Sequence, residues 1–490
     1  MTLTELLKDV SVVSATGNCD VNVSSVTFDS RECSGGSLFI AVSGTEADGH
    51  RFIGKAVEAG AVAVVYQNGE CEDDGKAVYV KVDDSRKALA TIAGNFYGHP
   101  SRELNLVGIT GTNGKTTTVT LLYNLFKSLG YCCGLISTIA NYIDGRRLNT
   151  EHTTPDPLEL NSLLRQMVDC GCEYCFMEVS SHSIDQDRIG ALKFKVAIFS
   201  NLTHDHLDYH KTFAAYRDCK KRFFDNLEPD SYALTNTDDR NGEVMVQNTK
   251  AIVRSYACRT MADFKCRIIE QSMDGMLVNM DGTQMWSRFI GAHNAYNLLA
   301  VFATAMLLGA QREEVLVKMS ALTPVSGRLE YVKGGKDITA VVDYSHTPDA
   351  LENALKTLRA AACDRQLICV FGCGGNRDKS KRPEMGAIAA RLSDKVIVTS
   401  DNPRKEDPQT IIEEIRAGMD IPARAKSLFI ADRREAIRTA VMTAQEGAVI
   451  LVAGKGHEDY QVIGEVKYHF DDKEVIAESF KELEYVVPSV

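Results

Sequence analysis

The run Thr110-Gly111-Thr112-Asn113-Gly114-Lys115-Thr116-Thr117 combines the residue types that phosphate chemistry needs. Glycines let backbone N–H groups close on anionic oxygens, a lysine reaches the terminal phosphates, and a threonine hydroxyl ligates Mg2+. The apolar run Leu104 to Ile109 precedes it and a helix-like stretch, Val119 to Phe126, follows, so a strand leads in and a helix leads out. Gly111, Thr112, Asn113, Gly114, Lys115, Thr116 and Thr117 are therefore the expected nucleotide-binding residues. The loop departs from the strict P-loop pattern because Ile109, not glycine, stands five positions before Gly114.

Two further runs carry chemistry. Tyr174-Cys175-Phe176-Met177 reads as a strand ending in Glu178. An acid at the carboxyl end of a parallel strand projects into the ligand crevice, where phosphate-bound Mg2+ also sits. Val196 to Phe199, another strand, leads into Asn201-Leu202-Thr203-His204-Asp205-His206-Leu207-Asp208-Tyr209-His210, dense in proton carriers and metal ligands. Such residues also cap helices and satisfy loop backbone, and composition alone does not choose between these roles.

The elements that must position these groups follow from length and pattern. A chain of 490 residues is too long for one core of ordinary size, and three domains are expected. The fold class expected is α/β: a small N-terminal α/β domain (1–100), a central P-loop ATPase-like parallel sheet (101–330) and a C-terminal Rossmann-like domain (331–490). The last two rest on apolar strands alternating with helical segments, as at Tyr232 to Asn236, Ile338 to Asp343, Gln366 to Phe371, Lys395 to Val398 and Val449 to Ala453. A net charge of -11 argues against a nucleic-acid surface as the main function. Met1 to Ser14 lacks the pattern of a leader, and no run reaches the ~18 apolar residues of a membrane span. A cytoplasmic monomer without membrane insertion is expected, its 14 cysteines remaining thiols in a reducing compartment. Cys172 and Cys175 fit a buried strand better than a zinc cluster.

Together, Thr110 to Thr117, Met177 to His182 and Asn201 to His210 resemble the Mur ligases, ATP-dependent amide-bond-forming enzymes of peptidoglycan precursor synthesis. The likeness continues through Gly291 to Asn297, Gly327 to Glu330, Asp343 to Asp349 and Phe371 to Asp378. Asp401 to Arg404 and Ala453 to Glu458 are similar to the members that add meso-2,6-diaminopimelate. The resemblance implies ATP and Mg2+ as cofactors and two small-molecule substrates, UDP-N-acetylmuramoyl-L-alanyl-D-glutamate and meso-diaminopimelate. It implies that ATP phosphorylates the dipeptide carboxylate and that the amine displaces the phosphate from the acyl phosphate.

By the same resemblance Lys115, Glu178, His206 and Lys220 are catalytic, and Thr116, Glu178, His206 and Lys220 hold metal. Lys220 aligns with a lysine the family carries as an N-carbamate. Taken alone, a lysine in Lys220-Lys221-Arg222 reads as a solvated face, and Lys221 is the alternative register. Asn294, Arg328, Asp343 and His346 are expected near ATP. Ser30, Thr153, Thr154, Ser180, Gln186 and Arg188 are expected to hold the UDP substrate, with Thr45 to His50 a further uridine-side segment. Arg377, Asp401, Asn402, Pro403, Arg404, Gly454 and Glu458 are expected around the amino acid. Arg404 suits the distal carboxylate that diaminopimelate has and L-lysine lacks. A lysine-adding or folylpolyglutamate-type ligase and an ATP-gated interaction module are the alternatives. The first should lack the Arg404 constellation, and the second has no need of Glu178, His206 and Lys220 together.

Overall fold

The apolar run before the phosphate loop forms the strand Asn105–Thr110, flanked by Tyr174–Glu178 and Val196–Phe199, both parallel to it. The next strand in sequence, Cys133–Ile136, lies beyond Tyr174–Glu178, whereas Val196–Phe199 lies on the opposite side. Strand order therefore reverses at Asn105–Thr110, and the crevice opens at its carboxyl end, where the loop begins. The computed structural model describes residues 1–44, 47–71, 75–150 and 152–486.

Alternation along this strand sorts its side chains to two cores. Val107 and Ile109 join one apolar cluster with the helices Lys115–Ser128 and Ala292–Leu307. Leu106 faces the other, with the helices Pro157–Asp169 and Phe213–Asp225. Gly108 and Thr110 share the second face. A Cβ on Gly108 would stand 2.7 Å from the Phe194 ring and 2.8 Å from that of Phe223, so the glycine lets Phe213–Asp225 seat closely.

The helix after the loop is longer than its apolar stretch suggested. It begins at Lys115, with Gly114 as N-cap at φ +89° and no side-chain cap, which leaves its first N–H groups directed into the crevice. The central sheet also differs from a plain parallel one. Among the described residues it has 11 strands, and antiparallel pairs close its ends: Phe264–Ser272, Gly275–Met280 and Thr283–Ser287 on one side, Asn141–Ile143 and Arg146–Leu148 on the other. These end strands are partly exposed, and short or irregular alternation gives them little signal in the sequence.

Among the described residues the N-terminal sheet has five strands, with Val12–Ala15 antiparallel at its edge. A third sheet orders Thr339–Asp343, Val449–Ala453, Leu367–Phe371, Lys395–Val398 and Ser427–Phe429 in parallel, with Glu330–Lys333 antiparallel at one edge. A hairpin, Tyr460–Ile463 with Val466–His469, lies against the loop after Lys395–Val398. Arg404 N donates to Val462 O at 3.0 Å and Gly464 N to Arg404 O at 2.7 Å. Two contacts join the phosphate loop to the third sheet's elements: Asn113 Nδ2 to Asp349 Oδ2 at 2.8 Å, and Arg328 Nη2 to Thr116 Oγ1 at 3.3 Å.

Candidate active site

The phosphate loop is braced from the neighbouring strand. Thr112 N donates to Asn201 O at 2.8 Å, Asn113 N to Asn201 Oδ1 at 2.9 Å, and Ser200 Oγ to Asn113 O at 2.7 Å. A Cβ on Gly111, whose φ is +150°, would lie 2.0 Å from Ser200 Oγ, and one on Gly114 2.5 Å from Asn297 Oδ1. Side-chain oxygens of neighbouring elements take the space that a Cβ would fill, and both positions have positive φ, so each needs glycine. Lys115 Nζ donates to Gly111 O and Thr112 O, both at 2.9 Å, so the ammonium is held over its own loop. Burial lowers its pKa, against the nearby carboxylates of Glu178 and Asp205.

Lys220 is 1% exposed, on the helix stripe formed by Tyr216, Cys219, Phe223 and Phe224. The spacings of three, four, seven and eight residues place it on the core side, facing Thr110. Its Nζ donates to Gly111 O at 3.0 Å and Thr110 Oγ1 at 3.3 Å and lies 4.8 Å from the Tyr216 ring centroid. Lys221 turns aside and pairs with Asp225 at 2.6 Å. Burial first, and the Lys115 charge second, hold the Lys220 amine well below its ordinary pKa.

Glu178 is 1% exposed, and its Oε1 accepts from Thr138 N at 2.9 Å. His206 has φ +53° and a ring 5.1 Å from that of His182. Loss of hydration pushes its pKa down to about 4, opposed by Asp205 and aided by Lys115, so its imidazole is neutral at pH 7. Among the described residues no group of three or more His, Cys, Asp or Glu is placed to hold a metal by itself. The donor chemistry still suits Mg2+: a free carboxylate oxygen on Glu178, the Thr116 hydroxyl and a neutral imidazole surround a loop built for phosphate.

Three cavities line the site, one of them at this loop. One of about 370 Å³ is lined by Gly114, Thr117, Asn294, Arg328 and Asp343. Asn294 Oδ1 accepts from Asn297, and Asp343 Oδ2 from Leu329 N at 2.8 Å. Of the four residues expected near ATP, His346 stands apart, lining a second cleft of about 770 Å³ with His206, Thr153, Arg377 and Arg404. A third, of about 890 Å³, is lined by Ser30, Gln186 and Arg188. Arg188 bonds Gln186 Oε1 at 2.7 Å and Thr154 O at 2.7 Å. Thr154 Oγ1 donates to Glu178 O at 2.9 Å, and Ser180 Oγ caps the helix Ser181–Asp185. Thr45 and Glu46 lie outside the described residues.

In the second cleft, Asn402 Nδ2 donates to Glu458 Oε2 at 2.8 Å, and Arg404 Nη1 to Gly375 O at 2.8 Å. Asp401, Gly454 and Glu458 line the same wall, and Arg377 is exposed at it. Pro403 O approaches Gly375 so closely that a Cβ there would stand 1.9 Å away. Burial raises the Glu458 pKa, and Asp401 adds to it. Sequence reasoning gave no role to Lys455, which is 0% exposed and donates to Asn402 Oδ1 at 3.1 Å. Its place between Gly454 and Gly456 at a strand end was the available signal. It also left Asn201 and Asp349 inside recognised runs without a task.

A phosphate loop at a switch point, a buried lysine of lowered pKa beside it and clefts shared with flanking sheets define a three-domain nucleotide-dependent enzyme. The chain belongs to the Mur ligase family. Residues 22–97 match its catalytic domain, 109–305 its middle domain and 327–456 its glutamate ligase domain. It is 53% identical over 481 residues to the UDP-N-acetylmuramoyl-L-alanyl-D-glutamate--2,6-diaminopimelate ligase of Bacteroides fragilis, covering 98% of this chain and 99% of that one. Identity to the ligase of the same name from Syntrophomonas wolfei is 40% over 484 residues, covering 98% and 99%. A solved structure of a ligase so named aligns with TM-score 0.71 at 30% identity, over 98% of this chain and 99% of that one. The MurF ligase of Thermotoga maritima in complex with ADP shares the fold, with TM-score 0.64 at 19% identity, over 95% and 99%. Membership of this family implies use of ATP with Mg2+. Among the described residues no helix is long and apolar enough to cross a membrane.

Proposed function

We propose that this chain joins meso-2,6-diaminopimelate to UDP-N-acetylmuramoyl-L-alanyl-D-glutamate at the expense of ATP, as a cytoplasmic monomer in peptidoglycan precursor synthesis. The observation that carries this reading is the 770 Å³ cleft, in which Arg404, Asp401 and Glu458 share one space with His206 and with Asp349, which bonds the phosphate loop through Asn113. The domain units we assign are 1–100 for the UDP substrate, 101–330 for ATP and 331–490 for the amino acid.

A carboxylate is a poor acyl donor, and phosphate gives it a leaving group. The γ-phosphoryl group moves from ATP to the dipeptide carboxylate, and the amine nitrogen then attacks the acyl carbon, forming the amide and releasing phosphate. Lys115 and the first N–H groups of Lys115–Ser128 hold the polyanion in line. Thr116, Glu178, His206 and a Lys220 carbamate would hold Mg2+, which supplies charge neutralisation. The carbamate forms as the neutral amine takes up CO2 and loses a proton, and the depressed pKa of Lys220 favours that reaction. Arg328, Asn294 and Asp343 hold the nucleotide. Ser30, Gln186, Arg188 and Thr153 hold the UDP-linked substrate. Arg404 pairs with the distal carboxylate of the amino acid, while Glu458, Asp401 and Asn402 accept from or orient its distal ammonium.

ADP release with the UDP-dipeptide and Mg2+ tests the amine. Release should require meso-diaminopimelate, and equal turnover with L-lysine would overturn the assignment.

A further inference from the structure

The two loops of the amine pocket, 401–404 and 454–458, leave the sheet from strands that are not neighbours. Lys395–Val398 and Val449–Ala453 both pair with Leu367–Phe371, which lies between them. The sheet ladder thus fixes each loop base against the middle strand and neither against the other. The loops nevertheless meet above that strand. A Cβ on Gly454 would stand 2.3 Å from Asp401 Oδ2, and one on Gly372, just past the middle strand, 2.3 Å from Thr399 O.

Beyond their bases the loops bond through Asn402, with Glu458 and Lys455, and at the bases one buried side chain spans both. Arg433, the first residue of the helix Arg433–Met442, has a fully buried side chain. Its Nη1 donates to Ser400 O at 3.2 Å and its Nη2 to Ala453 O at 3.1 Å. Those carbonyls belong to the residues immediately before Asp401 and Gly454. Nε and Nη2 also donate to Asp472 Oδ1 and Oδ2 at 2.8 and 2.7 Å, and Asp472 opens the helix Asp472–Val486. A buried ion pair serving stability alone would be complete with the carboxylate. Here the remaining donors of a rigid planar fork tie both loop bases into one plane.

We propose that Arg433 is a positioning residue for amine recognition: it sets the separation of the 401–404 and 454–458 loops, and Asp472 orients it. The proposal rests on the assignment of those loops to the amino-acid substrate. Arg433 does not touch that substrate. It acts through the backbone that carries Asp401, Arg404, Gly454 and Glu458.

The test is a set of Michaelis constants for full-length Arg433→Lys and Asp472→Asn, with melting temperatures alongside. Arg433→Lys keeps the charge, but one ammonium does not reproduce the planar fork. It should raise KM for meso-diaminopimelate about tenfold or more, leave KM for ATP within about twofold, and narrow the preference over L-lysine. Asp472→Asn should shift the same constants in the same direction by less. A purely structural role would lower the melting temperature and leave every KM unchanged. That result, or failure of both variants to fold, overturns the proposal. Failure of the underlying functional reading looks different: the wild-type protein itself would then not consume meso-diaminopimelate.

Discussion

Lys220→Met separates chemistry from stability. The wild-type amine makes two hydrogen bonds, at 3.0 Å to Gly111 O and 3.3 Å to Thr110 Oγ1. Gly111 O keeps a second donor, Lys115 Nζ at 2.9 Å, so no backbone carbonyl is orphaned by the change. Two such bonds are worth about 1 kcal/mol each, and a thioether of similar length keeps the packing, so stability should change by no more than about 2 kcal/mol. Loss of the proposed metal-holding carbamate should instead cost about 10²–10³ in kcat. The pH dependence follows from the depressed pKa. Between the folded value and the unfolded value of about 10.4, the unfolded chain binds a proton that the folded chain does not. Wild-type stability therefore rises with pH through that window, and that of Lys220→Met lacks the rise. Denaturant titrations across pH in CO2-depleted buffer, with ADP release at saturating substrates, measure both effects. Lys220→Ala should recover part of its activity with a short carboxylic acid that fits the vacated space. Wild-type kcat in Lys220→Met would refute the reasoning.

Three other substitutions probe separate parts of the site. Arg404→Ala should lower kcat/KM for meso-diaminopimelate about a hundredfold while KM for ATP holds, and unchanged kcat/KM would sink its assignment. Gly111→Ala places a methyl group 2.0 Å from Ser200 Oγ and 2.9 Å from Asn201 O at φ +150°, a strain of about 1–3 kcal/mol. Calorimetry should show ATP affinity weakened about tenfold or more, and an unaltered Kd would count against the loop's role. Gly108→Ala overpacks Phe194 and Phe223 by a further methyl, which should cost about 1–3 kcal/mol and lower kcat by shifting the Lys220 helix. A melting temperature and kcat both at wild-type values would contradict that link.

The phosphate loop was legible because its information is local: strand, glycines, lysine and helix lie within one short stretch of chain. Lys220 was half legible. Its spacing from Tyr216, Phe223 and Phe224 puts it on the buried stripe, yet the Lys-Lys-Arg run reads as solvated until that spacing is counted. The end strands of the central sheet and the hairpin at 460–469 escaped, since short, partly exposed strands give weak alternation. Contacts between distant residues left no trace in the sequence. Asn113 and Asp349 stand 236 positions apart, and Arg433 and Asp472 stand 39 apart, so only folding reveals that each pair meets. His346 shows the converse. Its run resembles a segment near ATP, whereas its ring, with Nδ1 2.9 Å from Tyr344 O, lines the cleft that holds Arg404 and not the cavity lined by Asn294 and Arg328.

The central claim is that the phosphate loop activates a peptide carboxylate for capture by meso-diaminopimelate. Mass spectrometry after incubation with ATP, Mg2+, meso-diaminopimelate and UDP-N-acetylmuramoyl-L-alanyl-D-glutamate carrying 18O in its free carboxylates tests it most directly. An acyl phosphate transfers one carboxylate oxygen to phosphate, so released phosphate should carry a single 18O beside a product heavier by one diaminopimelyl residue. Unlabelled phosphate, or no such product, would contradict the account.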